Sequence, residues 1–206
     1  MEVMIDEEYD DDDVRNEIID HIIATKRGVP PFTYVGKTED GQYVHYKLNR
    51  AEVLPFIERD IILYTLHQLA ETLWCRNPVY VHGDLTKDNM IVHEGQLFII
   101  DFEPGQVKKC GLSDPNAIDY IFEDIYDFLR SIRAINQNHK PDYNLGEIDP
   151  RFQPFIETID KIEDWTREYV NQEELTRTMI GLVKTICPFS TGGRKRRGRK
   201  SRKRIR

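Results

Sequence analysis

The sequence predicts an α+β fold: a reduced leading lobe of one helix and two strands, then a mostly helical body. Two long stretches of helical apolar periodicity flank a run of short strands between Tyr80 and Asp101, and a glycine-bearing hairpin pattern precedes both.

Residues 1–13 are expected to be a disordered acidic arm, because seven carboxylates between Asp6 and Asp13 repel one another and bury nothing. A lobe over 14–50 follows. Ile18, Ile19, Ile22 and Ile23 share one side of a helix that ends at Gly28, ahead of Pro30 and Pro31. "PFTYV" and "QYVHYKL" read as two strands around the turn at Asp40-Gly41. A body over 51–190 opens with a helix from about Leu54 to Leu73, striped by Ile61, Ile62, Leu66, Leu69 and Leu73. Loop, short strand, turn at "EGQ" and strand "LFIID" come next. A further helix is marked by Ile118, Ile121, Phe122, Ile125, Phe128, Leu129 and Ile132. The stretch "NQNHKPDYNLGEIDP" reads as a loop, residues 152–165 and 172–186 as two more helices, and 191–206 as a basic tail.

Net charge is -7, but residues 194–206 alone carry ten of the 29 Lys and Arg, leaving 19 basic against 36 acidic side chains in the rest. Such segregation suits a tail that meets a polyanion; a tail folded onto its own acidic body is the competing reading. No apolar run approaches the roughly 18 residues of a membrane span, so no membrane partner is expected. The acidic start lacks the pattern of a secretory signal. Cys75, Cys110 and Cys187 have no metal-ligand spacing, and their odd number suits reduced thiols rather than a disulfide framework. The expected compartment is the cytoplasm, with the nucleus as a second.

The chemistry concentrates in "YVHGDLTKDNMIVHEGQLFIIDFEPGQ", Tyr80 to Gln106. Phosphoryl transfer needs a magnesium ion held by hard oxygen ligands and an aspartate that orients the nucleophile. Asp84 and Asn89 stand at the spacing D-x-x-x-x-N of the protein-kinase catalytic loop, and Asp101 closes an apolar strand as the metal-binding aspartate does. The fold class is therefore protein-kinase-like. In that arrangement His82 supports the loop rather than reacting, and Asp119 hydrogen-bonds the loop backbone to hold Asp84. Gly83 replaces the arginine that would pair with a phosphorylated activation loop. Only 17 residues separate Asp101 from Asp119, leaving little room for a peptide-docking platform.

The stretches "HGDLTKDNMIV", "LFIIDF", "DYIFEDIYDF", "RNEIIDHIIATKRGVPPF" and the ending "RKRRGRK" together resemble the small atypical kinase, or ATPase, of the KEOPS (EKC) complex, a PRPK-type family. The resemblance spans about residues 14–200 and implies a two-lobed kinase fold that binds ATP and Mg2+. It implies work beside the KEOPS transferase subunit and other KEOPS subunits, in threonylcarbamoyladenosine (t6A) modification of tRNA at position 37. Carried over by position, Asp84 is the catalytic aspartate and Asn89 and Asp101 are the metal ligands. Glu17, the helix glutamate that pairs with a lysine, and Lys87 are assigned to the nucleotide. Arg194, Lys195, Arg196, Arg197, Arg199 and Lys200 would approach tRNA with strong salt dependence; a nuclear-targeting run is the alternative reading.

The sequence departs from this pattern in two places. No glycine and no lysine precede Glu17, so a glycine-rich loop and the phosphate-contacting lysine are missing. The lobe is then expected to be covered by a partner or to belong to an incomplete gene product. Glu103 also occupies the position of the glycine in Asp-Phe-Gly, and Pro104 restricts it toward extended backbone. Two functions follow: an ATP-hydrolysing atypical serine/threonine kinase, or an inactive kinase-like adaptor that docks the transferase and tRNA.

Overall fold

The computed structural model describes residues 2–5, 13–26, 28–33, 35–37, 39, 41, 43–47, 53–111, 114, 116–145, 153, 181 and 183–187. The expected helix over 152–165, apart from Gln153, and the tail residues Arg194, Lys195, Arg196, Arg197, Arg199 and Lys200 lie outside them. Of the helix expected over 172–186, residues 181 and 183–186 are described and helical.

Strand β1 (Glu2–Ile5) and the start of helix α1 (Asp13–Lys26) differ from the disordered arm expected over 1–13, of which residues 1 and 6–12 lie outside the described residues. The carboxylate run begins only at Asp6, and the residues ahead of it include Val3, Met4 and Ile5, which suit a strand once another strand offers its edge. That strand is β3 (Tyr43–Lys47), which lies between β1 and β2 (Val35–Lys37) in an antiparallel sheet. Among the described residues the leading lobe thus has three strands, not two. β2 also begins later than "PFTYV" suggests. Pro30 and Pro31 donate no hydrogen bond, and Val29 and Phe32 N–H groups bond back to Lys26 and Val29 carbonyls, so residues 28–33 turn instead. Gly28 takes φ +72°, the left-handed cap expected after α1.

Helix α2 (Arg59–Leu69) starts five residues later than its apolar stripe suggests. Ile57 donates its N–H to Asn136 and accepts the Asn136 amide at its carbonyl, both at 2.8 Å, which holds the segment before α2 out of the helix. α2 then widens into a π-helical turn over Ala70–Trp74, with Cys75 N–H bonded to the Ala70 carbonyl. Strands β4 (Val79–Val81), β5 (Met90–His93), β6 (Gln96–Ile99) and β7 (Lys108–Cys110) follow, and α3 (Ala117–Gln137) closes the body. β5 and β6 form the hairpin expected at "EGQ". β7 has no sequence signal: "KKC" becomes a strand by pairing with β4 across a fold.

One core joins the lobes. Ile18, Ile19 and Ile22 of α1, Leu66, Leu69 and Leu73 of the second helical run, and Ile121, Ile125, Phe128 and Ile132 of α3 are all buried in a single cluster. Leu69 and Ile125 are fully buried, so truncating either to alanine removes the kind of contact worth about 2–5 kcal/mol. Among the described residues no helix is long and apolar enough to cross a membrane.

Cys75 and Cys187 are joined by a disulfide with Cα atoms 4.9 Å apart, and Cys110 is a buried free thiol. This corrects the expectation of three reduced thiols. The partners lie 112 residues apart, a pairing that spacing rules do not reveal and that only the packing of the last described helix creates. Denaturation without reductant should therefore expose one alkylatable thiol, and with reductant three. Cys75→Ser should lower unfolding free energy by about 2–4 kcal/mol in a denaturant titration.

Candidate active site

The loop between β4 and β5 carries Asp84, and the chain after β6 carries Asp101. Asn89 links them. Its Nδ2 donates to the Asp84 carbonyl at 2.9 Å and to Asp84 Oδ2 at 2.8 Å, and its own carbonyl accepts the Ile100 N–H at 3.0 Å. With the amide nitrogen committed to Asp84, the amide oxygen is the acceptor Asn89 retains for a cation. Asp101 adopts φ +66°, a left-handed conformation that costs a non-glycine residue about 1–2 kcal/mol and marks a turn held by its surroundings.

His82 is buried between these two segments. Asp84 N–H donates to Nδ1 at 3.3 Å, so Nε2 carries the proton that is given to the Ile100 carbonyl at 2.9 Å. Both ring nitrogens are thus used in holding the loop. The ring also packs on Phe102, with centroids 4.5 Å apart.

The carboxylate that holds the loop is Asp124, which corrects the assignment to Asp119. Asp124 Oδ2 accepts the His82 N–H at 2.8 Å and Trp74 Nε1–H at 2.9 Å, and Oδ1 accepts the Gly83 N–H at 2.8 Å. Asp119 lies in the first turn of α3, half-buried. Asp124 sits one turn after Ile121 and just ahead of Ile125, on the buried face. A carboxylate within the apolar stripe was the signal in the sequence. Burial pushes the Asp124 carboxyl up to about 6, against the lowering pull of its three donors.

Gly83 is required by space as well as by conformation. Its φ is +81°, and a Cβ there would lie 2.2 Å from the Gln106 carbonyl oxygen. The arginine of regulated kinases has no room in this loop.

Glu17 of α1 pairs with a lysine, but one from the body: Lys109 Nζ of β7 is 2.5 Å from Oε2, and the Tyr80 hydroxyl donates to Oε1 at 2.8 Å. Lys109 and Tyr80 hold the Glu17 carboxyl below its usual range, and burial with the Glu17 contact pushes the Tyr80 phenol up to about 12. Lys37 of the leading lobe pairs instead with Asp20 at 2.6 Å. Lys87 opens the 3-10 turn before β5 and is exposed. Arg15, which sequence reading missed, is buried and donates from Nε to the Phe102 carbonyl at 3.0 Å. Its place three residues before Ile18, on the apolar face, was the available signal.

Glu103 lies close enough to Asp101 and Asp84 to feel their charges. Burial, then the neighbouring Asp101 and Asp84 charges, raise its carboxyl, while Gln106 Nε2 donates to it at 2.7 Å. Asp127, one turn beyond Asp124, is raised by burial and then by Asp84. Among the described residues no group of three or more His, Cys, Asp or Glu forms an all-protein metal cage. Asn89 and Asp101 are hard oxygen donors, and so small a set fits Mg2+, which keeps waters and takes phosphate oxygens as further ligands.

This arrangement of loop aspartate, loop asparagine and strand-end aspartate accompanies a family match: residues 34–144 match the RIO domain. The chain belongs to the RIO domain family. RIO domains are protein-kinase-like, their members are atypical kinases and ATPases, and they generally bind ATP with Mg2+. The match begins after α1 and ends beyond α3, so it takes in the whole Asp84–Asn89–Asp101 unit and Asp124. No curated protein matches the chain.

Three substitutions test the loop's supports. Asp124→Ala leaves three donors without their acceptor and should cost about 3 kcal/mol or more in chemical denaturation, while Asp119→Ala changes stability by about 0.5 kcal/mol or less. The Asp124 carboxyl has a usual value of 3.8, raised in the folded state, so the folded chain holds the extra proton between about pH 4 and 6. Its contribution to stability is lost as pH rises through that window, and the Asp124→Ala chain should lack this component of the pH profile. Gly83→Ala should cost about 3 kcal/mol, the sum of left-handed strain and a backbone clash, read as a shift of the denaturation midpoint.

Proposed function

We propose that this RIO-family chain is the atypical kinase, acting as an ATPase, of a KEOPS-type assembly that supports t6A modification of tRNA. The observation that carries the enzymatic part is the Asn89 bridge. Its amide nitrogen aligns Asp84, its amide oxygen is left as an acceptor, and its backbone carbonyl holds Ile100 next to the left-handed Asp101, a disposition that suits a phosphoryl-transfer centre. A chain serving only as an adaptor has no chemical use for it. Mg2+, when bound, neutralises the charge of the phosphates.

The chain's own residues supply the remainder. Asn89 and Asp101 would hold the ion, and Asp84 would orient the attacking water or hydroxyl and receive its proton as that oxygen bonds to phosphorus and ADP leaves. His82 keeps the two acidic segments at a constant separation through its two hydrogen bonds. The sequence carries no glycine or lysine ahead of Glu17, and Glu17 is already committed to Lys109. In a KEOPS-type assembly, ATP affinity should rise when the transferase subunit is present. The KEOPS assignment rests on the stretches from "RNEIIDHIIATKRGVPPF" to "RKRRGRK", and tRNA contact on the ten basic residues of 194–206.

The test is Mg2+-dependent ATP hydrolysis by the full chain with the transferase subunit and tRNA. Asp84→Ala and Asp101→Ala should each reduce turnover about 100-fold or more without loss of fold. Turnover no higher than that of the two variants, with tRNA still bound, would replace the ATPase by the adaptor.

A further inference from the structure

Helix α1 sends one charged side chain into the core. Arg15 is 1% exposed, and its Nε reaches the Phe102 carbonyl, 87 residues away in sequence. A buried guanidinium is expensive unless its donors are used, so its place beside the Asp101 turn has a structural consequence.

Three successive carbonyls around Asp101 each receive a donor. The Ile100 carbonyl accepts from His82 Nε2 at 2.9 Å, the Asp101 carbonyl from the Glu103 N–H at 3.0 Å, and the Phe102 carbonyl from Arg15 Nε at 3.0 Å. The first two donors belong to the loop segments of the site; the third comes from α1. The left-handed φ of Asp101 is unfavourable for any residue with a Cβ and persists only while its neighbours are held. Burial of the Phe102 side chain against His82 fixes one side of the turn, and Arg15 fixes the backbone on the same residue.

α1 grips the same stretch again at Lys109, through Glu17. The helix therefore touches the chain beyond Asp101 at two points, and its placement is transmitted to the backbone that carries the metal ligand.

We propose that Arg15 is a positioning residue that holds Asp101 in its left-handed turn, so that helix α1 sets the divalent-cation affinity of the site. This rests on the reading of Asp101 as a metal ligand. A lysine cannot reproduce the bond, since it has no donor at the Nε position of the arginine stem.

The experiment uses the full chain as parent, Arg15→Met, Arg15→Lys, and Ile19→Val as a buried change on the same helix that makes no hydrogen bond to the turn. Two quantities are read: hydrogen exchange of the Glu103 amide, and Mn2+ affinity by electron paramagnetic resonance with a non-hydrolysable ATP analogue. In Arg15→Met, Glu103 exchange should quicken and Mn2+ affinity should fall, each about tenfold or more, with Arg15→Lys between it and the parent. Ile19→Val should stay close to the parent in both. Parent-like exchange and affinity in Arg15→Met, or an equal loss in Ile19→Val, overturns the proposal. Failure of the parent to bind Mn2+ would sink the metal reading of Asp101 and the cation half of the proposal. Glu103 exchange in Arg15→Met then decides separately whether Arg15 holds the turn. Should Arg15→Met not fold, Arg15→Lys takes its place in both measurements: faster exchange with weaker Mn2+ binding supports the proposal, and parent-like values overturn it.

Discussion

The buried carboxylate of Asp124 is the constraint on which the rest of the molecule depends. Its two oxygens receive the indole of Trp74 and the backbone N–H groups of His82 and Gly83, so one side chain of α3 ties together the end of the second helical run and the loop that carries Asp84. None of these donors has an obvious substitute within the fold, and each would be costly to bury unpaired. The π-helical turn at Ala70–Trp74 belongs to the same constraint: by inserting a residue into the helical ladder it brings Trp74 round to the carboxylate. From Asp124 the order passes to His82, from His82 to Ile100 and Phe102, and from there to Asp101.

A second chain of contacts approaches Asp101 from the other side. Arg15 and Glu17 stand on different faces of α1, one buried on the Phe102 carbonyl and the other half-exposed on Lys109 and Tyr80. The glutamate that in the kinase pattern serves a lysine of the leading lobe is thus joined to the strand that follows Asp101. The exposed pair is screened by salt and contributes little to stability by itself, but it fixes where α1 lies. The buried arginine is the stronger tie, because its loss leaves a carbonyl unmatched in the core.

The site is heavily acidic. Asp84, Asp101, Glu103 and Asp127 influence one another strongly enough that the carboxyls of Glu103 and Asp127 are raised, with burial as the leading cause in both. Such a field attracts a divalent cation and repels a polyphosphate that arrives without one. The strongly basic segment 194–206 offsets only part of the chain's acidity, which stays at a net charge of -7.

The sequence by itself determined the kinase-like class and displayed the Asp84, Asn89 and Asp101 pattern. The spacing of Asp84 and Asn89, the apolar strand leading to Asp101, and the periodicities of α1, α2 and α3 are local properties, and local properties are what a sequence displays. Gly28 ended α1 for the same reason. What holds the site was decided only in three dimensions. Asp124 rather than Asp119 supports the loop because five residues of helix separate a buried face from a half-buried one, and which face is buried depends on what packs there. β1 and β7 exist because β3 and β4 offer edges, not because "EVMI" or "KKC" favour a strand strongly. The Cys75–Cys187 bond, the Lys109 partner of Glu17 and the reach of Arg15 to Phe102 join residues 112, 92 and 87 positions apart, and no spacing rule acts over such distances. Chemistry here is written in short motifs, whereas its support is assembled from single residues that meet only when the core closes.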